Sequence, residues 1–154
     1  MSARVATALS LVILAVYIIG SGRFVSTGGS WYQSLTRPPW QPPDVAFGIA
    51  WPYNFITLGF VGFVVAHGEQ TRDRGWWLAC FAISVVAALT WARLFYVHHA
   101  LTASGIALGV AAVATVPMVV LAFRASTLAG FAMIPYNIWL AIATSLAFGY
   151  ASRN

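Results

Sequence analysis

A chain of 154 residues with 60% hydrophobic and 7% charged side chains cannot cover a water-facing surface, because soluble domains carry about 25% charged residues. Its formal net charge of +5 is all arginine, and the arginines are scattered instead of sharing one helix face, which excludes nucleic acid as a partner. A single cysteine, Cys80, excludes both an intramolecular disulfide and a thiolate metal cage.

The composition is that of an all-α integral membrane protein, and five apolar segments predict its helices. The first covers about residues 3–21. Arg4 ahead of an apolar run imitates a secretory signal, but the run is about as long as a span and no clear small-x-small cleavage site closes it, so a retained helix is expected. One long loop follows, about residues 22–43. Residues 31–51 hold four of the seven prolines and three of the seven tryptophans. The prolines fix φ and remove backbone donors, so much of the stretch resists regular helix. The second helix is expected at about 44–67, with Asp44 as its N-cap and Pro52 as a bend. His67 to Arg74 mixes both signs of charge and reads as a solvated turn. The third helix is expected at about 76–97, opening on an interfacial pair, Trp76 and Trp77. The fourth, about 101–123, contains Pro117, and the fifth, about 127–150, contains Pro135.

The expected architecture is therefore one domain, a five transmembrane helix bundle with its long first loop acting as a lid. Arg4, Arg72, Arg74 and Arg124 fall on the N-terminal side; Arg23, Arg37, Arg153 and Arg93 fall opposite, a slight lean toward a cytoplasmic N-terminus. Small residues at four-residue spacing allow close helix approach: Gly105 with Gly109, and Ala141, Ser145 and Gly149. Such faces serve either the bundle or a dimer.

Titratable chemistry is sparse. The acids are Asp44, Glu69 and Asp73, two of them in the polar turn, so no buried carboxylate pair is expected. His67, His98 and His99 fall at helix ends, and adjacent side chains on a helix diverge, so no metal site is expected. Arg93 lies about one turn from a helix end, within reach of the interface. What remains is aromatic: Trp31, Tyr32 and Trp40 in the loop, and Trp51, Trp91 and Trp139 inside spans. Indole N–H groups in the bilayer need acceptors, and inward indoles offer flat π faces with a few donors. That chemistry suits a large, flat, lipophilic ligand such as a tetrapyrrole or a sterol; ordinary bundle packing is the competing account.

Residues 31–43, WYQSLTRPPWQPP, followed by Trp51, resemble the WYxxLxKPxWxPP pattern of the tryptophan-rich sensory protein and translocator protein family (TspO/MBR, the peripheral-type benzodiazepine receptors). Residues 134–146, IPYNIWLAIATSL, resemble its PYxxWxxxAxxLN pattern, and the resemblance covers nearly the whole chain. It implies a five-helix homodimer in a bacterial-type cell membrane, with the first loop folded over a pocket for porphyrin, haem or, in some members, sterols. No obligatory cofactor is implied. The matching pocket positions are Tyr32, Trp40, Pro42, Trp51, Trp91, Phe95, Trp139 and Ala143. Light-dependent porphyrin breakdown, attributed to some bacterial members, would use Trp51 and Trp139 as electron donors. A dimeric scaffold without a small-molecule ligand is the third alternative. Leu146, Tyr150 and Arg153 match a weak sterol-recognition pattern. Ala88, Ala147 and Ser84 stand where the family carries amides, so a roomier and more apolar pocket is expected.

Overall fold

The computed structural model describes residues 1–154 as an all-helical chain. In chain order the helices are α1 (Ala3–Phe24), α2 (Ser30–Ser34), α3 (Asp44–His67), α4 (Thr71–Tyr96), α5 (Leu101–Ala125) and α6 (Thr127–Ala151). Apart from α2 they are 22 to 26 residues long. At the α-helical rise each measures roughly 33–39 Å, enough to cross about 30 Å of hydrocarbon. They turn large apolar side chains outward: Ile19, Ile56 and Val113 are 71%, 72% and 70% exposed. Water would penalise such a surface, and lipid does not. The protein is an integral, multi-pass membrane protein.

α5 packs along both α4 and α6, and α1 lies against α3 and α4. Leu58, Phe81, Leu108, Met118, Met133 and Tyr136 form the centre of the core. Polar bonds tie the helices where lipid supplies no hydrophobic drive. Ser84 Oγ donates to the Ala111 carbonyl at 3.2 Å, and Asn137 Nδ2 donates to Thr115 Oγ1 at 2.6 Å. The small residues of α5 serve this packing. An ideal Cβ on Gly105 would lie 3.0 Å from the Phe148 ring, and one on Gly109 would lie 3.6 Å from Thr144 Cγ2, both on α6.

Three expectations change. α4 begins at Thr71, so the second half of the polar stretch, residues 71–74, is its first turn, and only residues 68–70 form the turn between the helices. Asp73 is buried there, with its carboxylate 3.3 Å from Arg124 Nε at the end of α5. Arg124 also donates to Gln70, and Arg74 donates to the Met1 and Gly68 carbonyls. Hydropathy registers the polarity of these residues but not the partners that absorb it. As a consequence Trp76 and Trp77 do not form an interfacial pair. Trp77 is 1% exposed, in the core, whereas Trp76 is 56% exposed, because neighbours on a helix point about 100° apart. Third, the N-cap of α3 is Pro43, in extended geometry, and Asp44 is the first helical residue without a capping bond. Its charge still opposes the positive end of the helix dipole.

Candidate ligand-binding site

The first loop is folded down onto the bundle end formed by the C-termini of α4 and α6. Within it α2 carries Trp31 and Tyr32, a helical turn that the proline-rich pattern did not announce. Trp31 stacks on His99 with ring centroids 3.7 Å apart and planes at 10°. His99 presents its ring from the turn after α4 in a left-handed backbone conformation, φ 57°. Farther along, Thr36 N–H donates to Asn154 Oδ1 at 2.8 Å, and Asn154 Nδ2 returns a bond to the Thr36 carbonyl at 3.2 Å. Pro38 and Trp40 rest on Gly149 of α6; an ideal Cβ there would stand 2.8 Å from Pro38 Cγ and 2.7 Å from Trp40 Cζ2. The Arg153 guanidinium covers Trp40 at 4.8 Å, a cation–π contact.

Beneath this loop lies a cavity of about 600 Å³, within the range of small-molecule sites. α3 contributes Phe47 and Trp51, α4 contributes Trp91, Phe95 and Tyr96, and α6 contributes Trp139, Ala143, Leu146, Ala147 and Tyr150. The spacing is helical: Phe47 precedes Trp51 by four residues, Phe95 follows Trp91 by four, and the α6 positions repeat on one face. Phe47 meets Trp139 edge-on at 5.2 Å between centroids. Trp51 is backed by Phe55 at 5.5 Å and by the buried Tyr17 of α1 at 6.1 Å. Neither Phe55 nor Tyr17 lines the cavity, so both contacts hold the indole from outside it.

Loop 1 supplies a polar roof of Tyr32, Gln33, Arg37 and Gln41, with Asp44 at its edge. The Tyr150 hydroxyl donates to Gln41 Oε1 and lies 3.3 Å from the Tyr32 hydroxyl. Gln33 Nε2 donates to the Thr27 carbonyl at 2.7 Å. Arg37 Nη1 is 3.8 Å from Asp44 Oδ1, and its Nη2 is 3.4 Å from Gln33 Oε1.

Of the expected pocket residues, Tyr32, Trp51, Trp91, Phe95, Trp139 and Ala143 come together around the cavity. Leu146 and Tyr150 of the sterol pattern join them. Trp40, Pro42 and Arg153 do not line it; Trp40 and Arg153 clasp each other outside, where they hold the lid. The amide-replacing positions also separate. Ala147 faces the cavity, whereas Ala88 is in the core and Ser84 is buried against Ala111. Only one of the three substitutions therefore bears directly on the cavity. Phe47 was findable as the residue one turn before Trp51. Gln33, Arg37 and Gln41 were not, because a loop has no periodicity to project a side chain onto a site.

Comparison with known proteins identifies the family. The TspO/MBR family profile matches residues 8–153. The chain is 30% identical over 144 residues to "Tryptophan-rich protein TspO" of Chlorobaculum tepidum, covering 92% of this chain and 90% of that one. It is 27% identical over 146 residues to "Protein CrtK" of Rhodobacter capsulatus, covering 91% of each. It is 28% identical over 137 residues to "Translocator protein" of Homo sapiens, covering 84% of this chain and 78% of the human one. With five membrane-spanning helices, the tryptophan-rich first loop and a family match across nearly its full length, this chain belongs to the TspO/MBR family.

Proposed function

We propose that the protein binds a flat, lipophilic small molecule, a tetrapyrrole or a comparably shaped ligand, in the cavity under loop 1, as part of a membrane sensing or carrier role. One observation carries this reading: an aromatic cavity of about 600 Å³ roofed by a loop pinned at Trp31, Thr36 and Trp40. Trp51, Trp91 and Trp139 offer stacking area, and their backing contacts hold them in place before a ligand arrives, which lowers the ordering cost of binding. The names of its relatives, sensory and translocator proteins, point in the same direction.

The test is titration with protoporphyrin IX in detergent, read by intrinsic tryptophan fluorescence. Saturable quenching is expected, and Trp51→Phe or Trp139→Phe should weaken affinity roughly three- to tenfold, the loss of one aromatic contact. Unchanged affinity in both variants would remove the indoles from the site.

A further inference from the structure

We propose that the cavity selects amphiphiles bearing a carboxylate, and that Arg37 reads that group while Asp44 holds the guanidinium in the empty state. This rests on the ligand-binding reading above and adds a chemical class to it.

The lining is chemically divided. Its floor is aromatic and aliphatic, from Phe47, Trp51, Trp91, Phe95, Trp139 and Ala143, and its polar groups gather on the loop side. Among the polar groups most are already engaged. Gln41 accepts from Tyr150, and Gln33 donates to Thr27. The Trp91 indole N–H is buried without a partner, and Arg37, only loosely held, is the one cation in the lining. A guanidinium has five N–H donors in a planar fork, and here it makes two long contacts, 3.8 Å to Asp44 and 3.4 Å to Gln33. The contact with Asp44 is through one nitrogen and one oxygen, and the side chains are 44% and 85% exposed. An ion pair so hydrated contributes little and exchanges at little cost. A ligand carboxylate held under the lid meets the same fork in a less polar setting and can engage it through two parallel bonds, the stronger arrangement.

The surrounding charge favours the same class. At this end of the bundle stand Arg23, Arg37, Arg93 and Arg153, and Asp44 is the only acidic side chain among them. The resulting positive potential draws anions toward the rim. A neutral ligand of equal shape uses the floor alike but leaves Arg37 with Asp44.

The experiment compares protoporphyrin IX, a dicarboxylate, with its dimethyl ester, by tryptophan quenching in nonionic micelles after subtraction of partition into protein-free micelles. The acid should bind about tenfold more tightly than the ester, the gain of one charge-assisted contact. Arg37→Gln should erase that difference by weakening the acid alone. Asp44→Asn should tighten the acid severalfold without moving the ester. Equal binding of acid and ester to the unaltered protein overturns the carboxylate anchor while leaving the cavity as a ligand site. Equal weakening of both by Arg37→Gln overturns it as well, by giving Arg37 a role in loop folding. No saturable binding of either porphyrin overturns the ligand-binding reading and the anchor together.

Discussion

Gly149 is the point at which the last membrane helix admits the first loop. Pro38 and Trp40 occupy the space that a side chain there would need, at 2.8 and 2.7 Å from an ideal Cβ. Neither ring is a flexible chain end that can swing aside. Gly149→Ala is therefore expected to lift the loop or strain the helix, at about 1–3 kcal/mol for an overpacked contact. A lowered thermal midpoint in detergent, with faster proteolysis between residues 31 and 43, is the expected readout; an unchanged midpoint with unchanged cleavage would show that the loop does not bear on this glycine. In the sequence, Gly149 looked like the third member of a small-residue stripe with Ala141 and Ser145. The stripe is real as a spacing, but Ala141 and Ser145 are exposed whereas Gly149 is buried by a segment more than a hundred residues away in the chain. Trp40 teaches the same lesson. Its residue type pointed to a pocket wall, and its position beside Gly149 and Arg153 makes it a clamp.

The elements were legible to the extent that each is a local property. Hydropathy and length located all five spans, because a helix in lipid must satisfy its own backbone and present apolar side chains along its length. The beginning of α4 was not legible. Thr71, Arg72, Asp73 and Arg74 look like turn residues until Asp73 meets Arg124 and Arg74 meets the carbonyls of Met1 and Gly68. This polar cluster joins α4 to the end of α5 and to the N-terminus. Asp73→Asn leaves the shape and removes the charge. Because Arg124 is itself half-exposed, the expected cost is about 1–2 kcal/mol and not the full penalty of a stranded buried ion. Thermal unfolding of Asp73→Asn, Arg124→Gln and the double variant checks it as a double-mutant cycle. A double variant no worse than either single one is the expected pattern, and strictly additive losses would mean that the two residues act separately.

At the scale of the molecule, the bundle is closed at one end by helix packing and at the other by a loop. Loop 1 is held at Trp31 by His99, at Thr36 by Asn154, and at Trp40 by Gly149 and Arg153. Two of these three points lie in the last turn of α6 or just beyond it, so the C-terminus governs the lid. Replacing Arg153 and Asn154 together by alanine removes a cation–π contact and a reciprocal pair of hydrogen bonds without touching the membrane core. The global thermal midpoint is expected to move little. Amide exchange across residues 31–41 should accelerate, because local opening needs only the contacts of that segment to break. Exchange in this segment that matches the parent protein would place control of the lid in the contacts that remain, the Trp31–His99 stack and the packing of Pro38 and Trp40 on Gly149.

The sequence by itself determined that the chain is embedded in lipid, that it crosses five times, and that Trp51, Trp91 and Trp139 lie inside the spans. Each of these follows from short-range rules: hydropathy summed over one helix, proline's missing donor, and the four-residue return of a helical face. The tertiary structure alone decided which residues meet. It sent Trp77 inward and Trp76 outward, took Trp40 out of the pocket, and set Ala147 on the cavity while leaving Ala88 and Ser84 in the core. It also brought Arg37 to Asp44 at the cavity rim and Thr36 to Asn154. The physical reason is that a loop has no periodicity of its own. The direction of its side chains is set by the surface onto which it folds, and that surface is assembled from helices at opposite ends of the chain.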